Sequence, residues 1–114
     1  MTSVVTDVRL WYWQRVSAAV LAFCVLVHLA TIIYAVRGGL SAAEILARTQ
    51  GNWAFGLFYT VFVLACAVHV PIGLTPIVRE WLGWRAATST VFAWLCALLL
   101  LVLGLRAVYG VVLA

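Results

Sequence analysis

Two histidines, His28 and His69, are the residues of this 114-residue chain best equipped for chemistry. Both sit inside long runs that carry no charged side chain. A polar group within a membrane span is costly, which makes it a functional hypothesis by default. Neutral imidazole is a good ligand for iron, and a b-type haem is held by two of them. Haem ligation is therefore one reading of each histidine, and hydrogen bonding between helices is the other. At helical spacing, His69 shares a face with Phe62, Ala65, Cys66, Gly73 and Pro76. Gly73 leaves the helix surface bare one turn from the imidazole, the clearance a flat macrocycle needs. Close helix packing explains the same glycine. His28 shares its face with Leu21, Cys24, Val25, Thr31 and Ile32, which carry little information.

A second group lies at one end of these runs. Arg15, Arg79 and Glu80 converge on one membrane face, flanked by Trp11, Trp13, Trp81 and Trp84. An aromatic belt with snorkelling arginines has this composition. So does a site for an amphipathic ligand with polar oxygens and an apolar tail, such as a quinone headgroup or haem propionates. A carboxyl such as Glu80 could pass protons to a reduced quinone. Measured from Arg15 to His28 and from His69 to Arg79, the histidines lie about 20 Å and about 15 Å deep, at about 1.5 Å per residue. That places both near mid-membrane. They either share one haem within the chain or each serve half of a pair with a second subunit. Cys24, Cys66 and Cys96 fall one per run, form no C-x-x-C, and read as small apolar filler.

The elements that must position these residues follow from composition. The chain is 68% hydrophobic and 9% charged, against about 45–50% and about 25% in soluble domains. Disorder and a soluble fold are both excluded. Residues 16–36, 49–78 and 86–105 lack charge, and each is long enough to cross a bilayer. The first run is too long for a signal-peptide core, so it reads as a retained helix. Arg37-Gly38-Gly39 stops it. Ser41-Ala42-Ala43-Glu44 then fits a capping box, opening a short amphipathic helix along the interface. Pro71 and Pro76 predict a kink or unwinding in the second span. The short 79–85 connection makes the second and third spans antiparallel neighbours. The fold expected is all-α: three transmembrane helices in an antiparallel bundle at about 13–36, 53–80 and 86–112, with an interfacial helix at about 41–49, in one domain over 1–114. The seven arginines and three acids give a net charge of +4. Dispersed between apolar runs, they mark lipid headgroups rather than nucleic acid. Arg9, Arg15, Arg79 and Arg85 face Arg37, Arg48 and Arg106 across the membrane. That bias puts the N-terminus inside and the C-terminus on the opposite side.

The pattern resembles the cytochrome b-type membrane-anchor subunits of succinate dehydrogenase and fumarate reductase. Gln14-Arg15-Val16-Ser17 is similar to the family's H-R-x-S-G, and His69-Val70-Pro71-Ile72-Gly73 to its H-x-x-x-G. Glu80-Trp81 follows where the family has an acidic residue and often an aromatic. The resemblance implies haem b, with His69 as an axial iron ligand and His28 as a second candidate. It implies quinone contacts at Arg15, Ser17, Glu80 and Trp81. The implied partners are iron–sulfur and flavoprotein subunits, a second anchor that is a copy or a related chain, and the lipid of a bacterial inner membrane. The chain departs from the pattern at Gln14, usually histidine, at Trp11, often a serine, and at Thr75-Pro76, usually arginine-histidine. His28 is a feature of two-haem members. With no nucleotide-binding glycine motif and no iron–sulfur cysteine set, the chain has no succinate-oxidising chemistry of its own. The expected function is an electron-transfer anchor that passes electrons from the iron–sulfur subunit to quinone. A haem-free structural subunit is the alternative. A transporter component fits less well, because no charge lies deep in a span and no broken-helix repeat is visible.

Overall fold

The computed structural model describes residues 3–113, which form four helices and no strand. α1 spans Val4–Gly38, α2 Ala42–Thr49, α3 Trp53–Leu82 and α4 Ala86–Val112. α1, α3 and α4 are long and apolar enough to cross a membrane. The molecule measures 51 × 23 × 23 Å, a bundle one helix long and two helices wide.

α1 begins about nine residues before the sequence-based boundary. Its start is built by Ser3, whose hydroxyl accepts from the Thr6 amide at 3.1 Å, with Asp7 in the first turn. A capped, acidic first turn suits the positive end of a helix. At 35 residues α1 is about 52 Å long at about 1.5 Å per residue, well beyond a hydrocarbon core of about 30 Å. It therefore carries polar turns past the lipid boundary. Gly39 ends it with φ 110°, a conformation that strains any residue with a Cβ.

α2 has the capping box that its sequence announces. Ser41 Oγ accepts from the Glu44 amide, and the Glu44 carboxylate accepts from the Ser41 amide at 3.0 Å and its hydroxyl at 2.8 Å. These bonds, with Arg48 adding attraction, hold the Glu44 carboxyl below its ordinary range. α2 is tied to the end of α4: Thr49 Oγ1 donates to the Val111 carbonyl at 2.8 Å, and the Gly51 amide to that of Val112 at 2.8 Å. Two carbonyls of α4's last turn, which lack helical partners, are thereby satisfied.

α3 is the central helix, packed along both α1 and α4. Its seam with α4 is made by small residues. Ser89, Ala93 and Ala97 recur every four positions and are buried. A Cβ on Gly104 would meet Val63 Cγ2 at 2.7 Å, so the backbones approach as closely as a glycine allows. Without water to drive apolar association, close packing of this kind holds membrane helices together. Pro71 and Pro76 lie within α3, which stays helical through both. The expected unwinding is absent. Thr75 Oγ1 donates to the Pro71 carbonyl at 2.7 Å within this stretch.

Candidate functional site

The seam between α1 and α3 collects the polar side chains of the spans. Three pairs set its antiparallel register. Gln14 lies against Gly73, Ser17 against His69, and His28 against Tyr59.

Ser17 is 5% exposed and sits at the level of His69. Its hydroxyl donates to the Gln14 carbonyl at 3.1 Å and lies 3.3 Å from His69 Nδ1. One turn along, a Cβ on Gly73 would stand 2.7 Å from Gln14 Nε2. The surface beside the imidazole is thus not bare. Gly73 serves close approach of the Gln14 amide, and the clearance read from sequence is filled from α1. Gln14 Oε1 is buried with no hydrogen-bond partner among the described residues. Such orphans are uncommon in folded proteins.

At the other level, His28 Nδ1 lies 2.9 Å from the Tyr59 hydroxyl. Tyr59 and Phe62 meet the His28 ring edge to face, with centroids 5.6 and 5.7 Å away. Phe55 and Phe58 extend this aromatic cluster along α3. Tyr59 was not among the residues singled out from sequence. The run Phe55, Phe58, Tyr59, Phe62, which faces the second histidine, was the available signal.

The register corrects the depth argument. On α1, His69 stands at the level of position 17 and His28 at 28. The two backbone levels are therefore about 16 Å apart along the seam at about 1.5 Å per residue. The coordinating nitrogens of two imidazoles on one iron are only about 4 Å apart, twice a metal–nitrogen bond of about 2 Å, and here each ring is held at its own level by a hydroxyl of the facing helix. The two histidines of one chain cannot share one haem. The sequence estimate took Arg15 and Arg79 as one boundary, but Arg79 lies further out than Arg15. No group of three or more metal-ligating side chains occurs among the described residues. Cys24, Cys66 and Cys96 are free thiols, with Cys24 buried.

The residues expected around a quinone are dispersed. Pro76, Arg79, Glu80 and Trp84 line an open groove of about 310 Å³ at the α3–α4 turn. Trp81 is 83% exposed and is not among the groove-lining residues. Arg15 stacks its guanidinium 5.4 Å from the Trp11 ring centroid. It is level with the Pro71–Ile72 turn, about 12 Å short of Glu80 along the axis at about 1.5 Å per residue. Ser17 is buried in the seam beside His69.

Comparison with known families finds a match over residues 2–105 to the family described as succinate dehydrogenase/fumarate reductase transmembrane subunit. No curated protein and no solved structure matches the chain.

Proposed function

The chain belongs to the succinate dehydrogenase/fumarate reductase transmembrane-subunit family, and from that premise we propose that it binds haem b and relays electrons to quinone. The observation that carries the reading is the placement of the two histidines. Each is a half-buried imidazole inside a membrane-capable helix, and they occupy different levels of one seam. Imidazole nitrogen is the right donor type for haem iron. In this reading His69 would hold haem iron, and His28 would hold a second iron at the other level. Each level offers one histidine, so a second anchor subunit, a copy or a related chain, completes each pair. Haem b, when bound, supplies one-electron transfer across the membrane interior.

The chain's own residues account for the rest. Glu80 and Arg79, together in an open groove on the N-terminal side, offer a proton carrier and a cation to a quinone headgroup. Arg15 and Trp81 flank this side and contribute once the second subunit closes the groove. The iron–sulfur and flavoprotein subunits dock there. In this reading the membrane is a bacterial inner membrane, and the arginine bias favours that face as the cytoplasmic one.

A haem-free structural subunit is the second reading. The interhelical hydrogen bonds of His28 and His69 favour it, because each is a sufficient reason for a polar group in a span. Purification of the complex from native membranes tests the proposal. Haem b should co-purify with the chain, together with flavoprotein and iron–sulfur subunits. A complete complex free of haem would leave the structural reading standing.

A further inference from the structure

We infer that Ser17 is a positioning residue for His69: it holds the imidazole in the tautomer protonated at Nδ1, so that Nε2 presents its lone pair. The inference rests on the haem reading of His69 but is carried by a separate observation, the placement of the buried Ser17 hydroxyl between the Gln14 carbonyl and His69 Nδ1.

A serine hydroxyl has one hydrogen and two lone pairs. The Gln14 carbonyl, 3.1 Å away on the preceding turn of α1, can only accept, and in this assignment it takes the hydrogen. Only lone pairs remain to face His69 Nδ1 at 3.3 Å. A lone pair facing a ring nitrogen requires that nitrogen to carry the proton. In a neutral imidazole the other nitrogen, Nε2, is then the bare one. Ser17 is 5% exposed, so water has little access to scramble the arrangement. The Gln14 carbonyl, the Ser17 hydroxyl and His69 Nδ1 form a chain with one consistent direction.

Metal-ligating histidines characteristically donate their second N–H to a fixed acceptor, which orients the ring and raises its basicity. Ser17 supplies that acceptor from the neighbouring helix. A more basic ligand favours the oxidised iron, so Ser17 lowers the midpoint potential of the haem at His69. Ser17 is therefore assigned to His69 rather than to an open quinone site.

The test uses the full chain in lipid nanodiscs without haem, and separately the purified complex. Nitrogen-15 shifts of His69 at mildly alkaline pH should show Nδ1 protonated in the wild type. The preference should be lost in Ser17→Ala and restored in Ser17→Thr, which keeps a hydroxyl. In the complex, Ser17→Ala should retain a b-type band and shift its midpoint potential upward, with Ser17→Thr close to wild type. Protonation at Nε2 in the wild type, or an unchanged tautomer in Ser17→Ala, would overturn the inference. An undiminished b-type band in His69→Ala defeats the haem reading of His69 instead, and leaves the tautomer result to stand by itself.

Discussion

At the scale of single residues, the two histidines are held alike but surrounded differently. Each receives a hydroxyl on Nδ1 from the opposite helix, Ser17 of α1 for His69 and Tyr59 of α3 for His28. Hydrogen bonds between transmembrane helices contribute roughly 0.6 kcal/mol on average, so losing either costs little stability. Tyr59→Phe keeps the ring packing and removes only the hydroxyl. Its melting temperature in detergent should therefore stay within a few degrees of wild type, whereas a loss of folding would show that the bond does more than orient a ring. The histidines were legible in the sequence, because an imidazole in an apolar run is conspicuous. Their hydroxyl partners were not. Ser17 was read as a quinone contact through its motif, and Tyr59 was not noticed. Sequence spacing gives the face of a residue's own helix, but a partner across the seam depends on register.

At the scale of elements, register is set by small residues, and two glycines do different work. A Cβ on Gly104 would meet two methyls of Val63 at 2.7 and 2.8 Å. Val63 is β-branched and has little rotamer freedom in a helix. Gly104→Ala should therefore force α3 and α4 apart and cost about 1–3 kcal/mol, as overpacking does. Gly73→Ala meets only the end of the flexible Gln14 side chain and should cost less. Thermal unfolding of both variants in detergent checks the ordering, and a larger loss in Gly73→Ala would contradict it. α2 allows a pH prediction. The Glu44 carboxyl is held below its ordinary range by its bonds to Ser41 and by Arg48. A lowered carboxylate stabilises above its ordinary range, and that contribution disappears as pH falls through the lowered value. Protection of the amides at the start of α2, measured against their intrinsic exchange rates, should thus fall in acid, and Glu44→Gln should remove that pH dependence of the protection. The spans, the capping box and the interfacial helix were all legible, because each is a local pattern. The early start of α1 was missed because the turns before Trp11 are not uniformly apolar. Charge-free runs give the length of a span, but its vertical offset depends on packing, which is why Arg15 and Arg79 were taken for one boundary.

At the scale of the whole molecule, one seam carries two histidines at levels about 16 Å apart, at about 1.5 Å per residue along α1. A chain with one imidazole per level, and no cluster of three or more metal-ligating side chains among the described residues, reads as half of a binding unit. The exposed apolar surface is large, with Phe23, Leu26, Leu57 and Trp94 all at 60% or more. Lipid covers such a surface, and so does a second anchor subunit. In the complex, His28→Ala should remove one haem and leave the other. An unchanged haem content and spectrum in that variant would reduce the molecule to a single-haem anchor. The most direct test of the central claim is the reduced-minus-oxidised spectrum of the complex in native membranes, wild type beside His69→Ala. A b-type band in the wild type that is lost at His69's haem in the variant is the predicted result. No band in the wild type, or an undiminished band in the variant, would contradict it.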